Sequence, residues 1–324
     1  MTIQNSPSSR PHRPLRNVLI GTSLGEESEA VVRAGLAVAR TAAAAGAQVT
    51  LVHAAQLDTL QILQSAAGPA MVEIAVQETL EERLRELERQ VERHGIAPSE
   101  LAGARVLSGP PHQVLTAAAQ SLAADLVVVG ATGSGPVAAE LLGSTADRVL
   151  RKADCPVLVV RGELPVPPRR VLAPVDLSPL SAEAFASGLR LLAEVAGEAE
   201  TAVRAVHVLS FLAVLALGRE GGRGELAPYE EVERIAAEQL RRLVQENGQG
   251  NGRFRIDTAV LPGEARFEIL RDLEQNPADL VVLGTHGRGG FDRLMLGSVA
   301  ATVARRAPCS VLLIPPMPQT IQAI

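Results

Sequence analysis

Two clusters in the second half of the chain carry residue types and spacing suited to a phosphorylated ligand. The first is Gly284-Thr285-His286-Gly287-Arg288, followed after a gap by Gly297-Ser298. Its pattern is Gly-x2-Gly-x9-Gly-Ser. Glycine has no Cβ, so backbone N–H groups at such positions can approach a phosphate closely. A Gly-Ser pair at the start of a helix adds a partly positive terminus and a hydroxyl donor. Arg288 could supply a counter-charge. The second cluster is Pro174-Val175-Asp176, where an apolar run ends in a carboxylate. A carboxylate there could accept hydrogen bonds from a ribose or an adenine edge.

These residues need elements to hold them, and the chain writes its elements twice. Residues 125–160 align with 279–314 at an offset of 154 without a gap, and 17 of the 36 positions are identical. The register extends upstream, with His53 matching His207 and Val18-Leu19 matching Val171-Leu172. The reading is an arm at 1–15, a first domain at 16–161, a linker at 162–169, a second domain at 170–316 and a tail at 317–324. Pro165, Pro167 and Pro168 make the linker short and stiff. The apolar runs of the first copy are 17–21, 48–54, 104–107, 126–130 and 156–161. Those of the second are 171–175, 202–209, 255–260, 280–284 and 310–314. They are continuous rather than alternating, as in strands buried on both faces of a parallel sheet. Helical spacing fills the intervals, for example at 72–93 and 230–245. The fold class is α/β: two tandem doubly wound domains, each a five-stranded parallel sheet flanked by helices, with right-handed crossovers. Such sheets bind ligands at the carboxyl ends of their strands, near a topological switch point. Residues 211–227, with Gly218, Gly221, Gly222 and Gly224, break the pattern and read as a mobile loop over the sheet edge.

Composition closes off other classes. The chain has 324 residues, 47% hydrophobic and 21% charged, enough for a core in each half. A net charge of -5 argues against a nucleic-acid footprint. Aromatics are 2% of residues, with no Trp and Tyr229 as the single Tyr, so bases find little to stack on. Cys155 and Cys309 cannot form a disulfide framework and suit a reducing compartment. The single lysine, Lys152, follows Arg151, which excludes a Walker A loop. The longest apolar runs fall well short of the ~20 residues of a membrane span. The first 16 residues are polar, without the apolar stretch of a secretory signal. A cytoplasmic location follows as the expectation, with no membrane and no nucleic acid as partner.

The segment VLAPVDLS at 171–178, His207-Val208 at the end of the second run, and DLVVLGTHGRGGFDRLMLGSVAATVARRAPCSVLLI at 279–314 together resemble the universal stress protein family in its tandem two-domain form. The resemblance covers both repeats. It implies a five-stranded sheet of the adenine-nucleotide alpha hydrolase-like kind and, in the nucleotide-binding branch, bound ATP. Carried over by position, Pro174, Val175, Asp176 and Val208 would line the adenine and ribose pocket. Leu283, Gly284, Thr285, Gly287 and Arg288 would form the glycine loop, and Gly297, Ser298 and Val299 would hold the phosphates. Mg2+ would arrive with the nucleotide, because no acidic cluster marks a dedicated metal site. The resemblance also implies a pseudo-dimer of the two domains through their last strands, 156–160 with 310–314.

The first copy departs from this pattern. Ser23 stands where Asp176 stands, Ala131-Thr132 replaces Thr285-His286, Ser134 replaces Arg288, and Pro136 stiffens the loop. Gly130, Gly133, Gly143 and Ser144 survive, giving a weaker nucleotide site or only a pairing partner.

The leading function is an ATP-binding stress or signalling protein. It acts by nucleotide-dependent conformational change on an unidentified protein partner, with at most slow ATP hydrolysis. The alternative is a structural or adaptor protein of the same family without nucleotide. A third class, the nucleotide pyrophosphatases, uses an SGGxDS-type loop that neither 21–25 nor 174–178 matches. Gly21-Thr22-Ser23-Leu24-Gly25 imitates a hydrolase nucleophile elbow. It follows the first strand, its counterpart holds Asp176 instead of serine, and no HGGG-type segment is present. His53 and His207 read as satisfied buried histidines, His286 as a candidate phosphate contact, and both cysteines as inert thiols. Glu and Arg alternate over 78–93 as on a solvated helix face. A monomer, a homodimer, and preference among ATP, ADP and AMP all stay open at this level.

Overall fold

The computed structural model describes residues 14–42, 46–56, 69–131, 142–196, 200–210, 228–248, 254–287 and 296–316. Gly133, Arg288 and the segment 211–227 lie outside the described residues.

The first half contributes strands β1 (Asn17–Thr22), β2 (Gln48–Ala55), β3 (Leu101–Ser108), β4 (Leu126–Gly130) and β5 (Val157–Val160). The second contributes β6 (Arg170–Pro174), β7 (Thr201–Leu209), β8 (Phe254–Pro262), β9 (Leu280–Gly284) and β10 (Ser310–Ile314). They form one sheet in the order β3-β2-β1-β4-β5-β10-β9-β6-β7-β8. Neighbours within each half run parallel. At the centre β5 and β10 pair antiparallel, with Leu158 opposite Leu312 and Val159 opposite Val311.

The apolar runs become strands because both faces of the sheet are covered. Val127, Val128, Val203 and Val281 are wholly buried. The outermost strands are less covered, and there polar residues enter: Arg105 on β3, Arg255 and Asp257 on β8. For the same reason β3 begins at Leu101, three residues before the apolar run at Ala104. Its Leu-Ala-Gly start is weak in side-chain signal, but backbone pairing to Val49 and Thr50 of β2 carries the strand through it.

Helices α1 (Glu29–Thr41), α2 (Pro69–Arg93), α5 (Pro179–Ala196) and α6 (Tyr229–Gly248) cover one face. Helices α3 (Pro111–Ser121), α4 (Ser144–Lys152), α7 (Ala265–Gln275) and α8 (Ser298–Arg306) cover the other. Each face has its own apolar core, and each core runs through both halves. One includes Val38, Leu158, Leu192 and Leu312, and the other Val149, Val159, Val303 and Val311. The linker joins the first core through Leu164 and Val166.

The repeat recurs in its polar ties. Asp125 Oδ2 accepts the N–H groups of Arg16 and Asn17 at 3.0 and 2.9 Å. Asp279 Oδ2 accepts those of Arg169 and Arg170, both at 2.9 Å. Each aspartate thus fixes where the first strand of its half enters the sheet. His53 Nδ1 lies 2.9 Å from Thr22 O, and His207 Nδ1 2.9 Å from Val175 O. Burial pushes the His53 pKa down despite the Thr22 carbonyl. Both rings act as struts between the first two strands of their halves.

Candidate functional site

In the second half β6 pairs with β7 on one side and β9 on the other, so the chain reverses its winding between β6 and β9. That crevice is where an open α/β sheet binds ligands. Asp176 follows β6 and the glycine loop follows β9, so topology delivers both clusters to one place.

Asp176 is held by its own turn. Its Oδ1 accepts the Ser178 N–H at 2.9 Å, and its backbone N–H donates to Ser181 Oγ at 3.1 Å. Ser181 N–H in turn donates to Ser178 Oγ at 3.2 Å. This is an Asx turn with a serine brace at the entry to α5. Between them Leu177 sits at φ 63°, where residues with a Cβ are uncommon. Leu24, the equivalent residue of the first half, sits at φ 68°. The strained turn is therefore a built feature of the fold, present whether or not the aspartate is.

The carboxylate meets the glycine loop directly. A Cβ on Gly287 would lie 2.5 Å from Asp176 Oδ2. Only glycine leaves that carboxylate where it is. Gly284 ends β9, and Thr285 N–H donates to Ile314 O at 2.9 Å. Thr285 is buried, with its hydroxyl 2.8 Å from His286 Nδ1. Gly297 N–H donates to Thr285 O at 2.8 Å, which folds the far end of the loop back onto its start. A Cβ on Gly297 would lie 3.1 Å from that same carbonyl. Gly297 caps α8 and, having no side chain, makes no side-chain capping hydrogen bond to the first turn. The N–H groups of that turn have no intrahelical partner and form a donor set for an anion. Ser298 is exposed beside them.

The other candidate residues fall around this centre. Pro174 ends β6 beside Val206. Val175 N–H donates to Val206 O at 2.8 Å while its side chain is buried in the core. Val208 on β7 and Val299 on α8 are half-buried. The Leu283 side chain is in the core under α7 and α8, which leaves its backbone for the site. Sequence reasoning missed the bracing by Ser178 and Ser181. Their spacing from Asp176, at a strand-to-helix turn, is the signal that could have found it.

The first half keeps the backbone of this site and changes its side chains. Gly143 N–H donates to Ala131 O at 2.6 Å and caps α4 as Gly297 caps α8. Gly130 ends β4, and Ser144 opens α4, exposed like Ser298. Ser23 carries no carboxylate, and its hydroxyl donates to Glu27 Oε1 at 2.9 Å. Behind it lies a polar chain. Thr22 Oγ1 donates to Gln90 Oε1 at 2.8 Å and accepts the Leu24 N–H at 3.0 Å. Gln90, fully buried, places Nε2 3.3 Å from both Ser28 Oγ and Glu29 Oε1. Glu29 also accepts from Arg93 at 2.9 Å, and His94 Nε2 lies 2.6 Å from its other oxygen. Burial would raise the Glu29 pKa, but Arg93, Gln90 and His94 together hold it below the ordinary value. The second half has Val175, Ser181, Ala182 and Leu243 in these places, with Leu243 three residues past the buried Leu240 as Gln90 is past Leu87.

Burial pushes the Cys155 thiol up to about 12 and the Cys309 thiol up to about 11, so neither is a nucleophile at neutral pH. Among the described residues, no group of three His, Cys, Asp or Glu side chains is placed to hold a metal ion. Among them too, no helix is long and apolar enough to cross a membrane.

Comparison with known proteins agrees with the repeat. The sequence profile of the universal stress protein family matches residues 14–161 and again 168–315. A universal stress protein of Mycolicibacterium smegmatis is 29% identical over 320 residues, covering 92% of this chain and 97% of that one. Among solved structures, a functionally unknown protein from Pseudomonas aeruginosa PAO1 superposes with a TM-score of 0.63 at 19% identity, covering 94% of this chain and 93% of its own. A universal stress protein from Archaeoglobus fulgidus gives 0.60 at 20% identity, covering 92% and 98%. These two likenesses concern the fold.

Proposed function

We propose, from the premise that this chain belongs to the universal stress protein family, that its second half binds ATP and that the protein acts by nucleotide-dependent change of shape rather than by turnover. The observation that carries this reading is the meeting of Asp176 with Gly287 at the switch point, beside the open first turn of α8. The Asp176 carboxylate would accept hydrogen bonds from the ribose or the adenine edge. Gly284, Thr285 and Gly287 would offer backbone to the phosphates. Gly297, Ser298 and Val299 would add the donors of the helix terminus. Mg2+ would come on the phosphates. Occupancy would order the glycine loop and α8, and an unidentified protein partner would read that surface.

The first half would serve as the structural companion. Its lost carboxylate and its self-satisfied Thr22–Gln90 chain support one nucleotide per chain. We read the two halves as the two subunits of a family dimer joined in one polypeptide, with β5 and β10 as the seam. The protein would work in the cytoplasm.

The test begins with protein purified without added nucleotide, denatured, and assayed for released nucleotide by chromatography and mass spectrometry. The expected result is about one ATP per chain. Asp176→Ala should then lower ATP affinity about ten-fold or more, the scale of a lost charge-assisted hydrogen bond. An unchanged affinity would show that the pocket is misplaced. No released nucleotide, together with no binding in a titration with Mg-ATP, would leave the adaptor reading instead.

A further inference from the structure

The two halves do not hold each other symmetrically. Arg161, at the end of β5, donates through its guanidinium to the carbonyls of Ala304 at 3.4 Å and Arg305 at 3.2 Å, in the last turn of α8. Its backbone N–H donates to Ser310 Oγ at 3.1 Å. Arg305, on the same turn, donates to Asp147 Oδ1 of α4 at 2.8 Å. Asp147 also takes Arg151 at 2.9 and 3.3 Å. Burial would raise the Asp147 pKa, but the two arginines outweigh it and keep the carboxylate charged.

The repeat offset shows that this grip runs one way. The counterpart of Arg161 is Pro315, which has no donor, and the counterpart of Ser310 is Pro156, which has no hydroxyl. Asp147 has Ala301 as its counterpart. Thus the first half clasps the last turn of α8, and the second half has no equivalent residues with which to clasp α4 in return. A cation on the final carbonyls of a helix satisfies orphan acceptors and matches the helix dipole. Helix α8 is nine residues long, about 13 Å, too short to bend between its ends. Its other end is the Gly297-Ser298 terminus.

We propose that Arg161 and Asp147 of the first half are positioning residues for the phosphate end of the second-half site. This inference rests on the ATP reading above and adds to it: the half that lacks the aspartate sets the affinity of the half that has it. The clasp fixes the axis and register of α8, so its first-turn N–H groups are pre-aimed and less ordering is left for the nucleotide to impose. The adenine and ribose contacts, built on β6 and β7, lie outside the clasp.

The test compares ATP with adenosine, which shares the base and sugar but has no phosphate. Arg161→Gln keeps the backbone donor to Ser310, and Asp147→Asn keeps the size of the side chain. In each, ATP affinity should fall about five-fold while adenosine affinity stays within two-fold of wild type. Amide hydrogen exchange in α8 of the nucleotide-free protein should quicken in both. Equal ATP affinity in wild type and in both variants would overturn the clasp and leave the site reading standing. A matching loss for ATP and adenosine would also overturn it, because general loosening spares neither. If the wild-type protein binds adenosine and ATP not at all, the site reading falls and this inference with it. Should Arg161→Gln fail to fold by circular dichroism, Asp147→Asn decides alone, because it leaves β5 and the linker untouched.

Discussion

Gly287 and Asp176 show how much a single contact can decide. Neither residue is informative alone, since glycines end strands in many folds and carboxylates cap many turns. Together, with a Cβ on Gly287 falling 2.5 Å from Asp176 Oδ2, they show the carboxylate filling the space that a side chain on the loop would take. Charge placed by geometry also matters away from the site. Arg40, near the end of α1, binds Glu100 at 2.8 and 3.1 Å, and Glu100 also accepts the Ala97 N–H at 2.9 Å. The Arg40 hydrogen bonds first, then that N–H, lower the Glu100 pKa from 4.5 to about 2. A lowered carboxylate pKa stabilises the fold above the unfolded value, and the gain is lost as pH falls through the folded one. The pair therefore helps fully above about 4.5 and not at all below about 2. Because both side chains reach solvent, its size should stay under ~1 kcal/mol. Urea denaturation of wild type and Glu100→Gln across pH 2 to 7 would test this. The two stabilities should differ near neutrality and converge as pH falls from about 4.5 to about 2. A gap independent of pH would mean the carboxylate charge is not what stabilises.

At the scale of elements, the polar chain behind β1 makes the sharper claim. Thr22, Ser28, Gln90 and Glu29 satisfy one another where the second half keeps only Ser181 and otherwise has the apolar Val175, Ala182 and Leu243. Removing one member strands the rest. Gln90→Leu should cost ~1–3 kcal/mol, the price of leaving buried partners unsatisfied. The double change Thr22→Val with Gln90→Leu should recover part of that loss, because it removes both ends of the shortest link and moves the site toward the second-half pattern. Strictly additive losses in a double-mutant cycle of urea midpoints would count against a coupled chain. None of this was legible in the sequence. Thr22 and Gln90 are 68 positions apart, and a Gln in a helix rich in Glu and Arg looks like one more surface residue. The strands were legible for the opposite reason. Burial on both faces writes itself as uninterrupted Val and Leu, so β4 and β9 match their apolar runs end to end. Beta3 was legible only in part, because an outer strand lets Gly103 and Arg105 in. Among candidate site residues, glycine spacing and Asp176 could be read because backbone approach demands specific residue types. The Leu283 side chain goes into the core, which spacing alone cannot tell from a lining position.

At the scale of the molecule, the tandem arrangement removes two sheet edges. A single half would present the outer face of β5 or β10 as a row of unpaired backbone groups, a template for aggregation. Here each covers the other, and the apolar side chains along the seam join both cores. Packing is not perfect where linker, α1 and α5 converge: an apolar cavity of about 30 Å³ lies among Val38, Leu158, Leu164, Val166, Leu192 and Leu312. With no polar lining, it offers an ordered water no partners. Because the cores are shared, the halves should not unfold independently. Leu312 is 4% exposed and sits opposite Leu158 in the seam. Leu312→Ala would enlarge the cavity and should cost ~2–5 kcal/mol. That cost should appear in both halves at once. Calorimetry should show one transition moving down as a unit, and hydrogen exchange should quicken alike at Val52 in β2 and at Val203 in β7, far on either side of the substitution. Two separable transitions, with only the second half shifted, would mean that each half folds as its own unit and that the seam is a contact between finished domains. A common shift would instead make the ten-stranded sheet the folding unit. The clasp on α8 would then act within one cooperative body, where a disturbance on one side cannot be relieved by the other half drifting away.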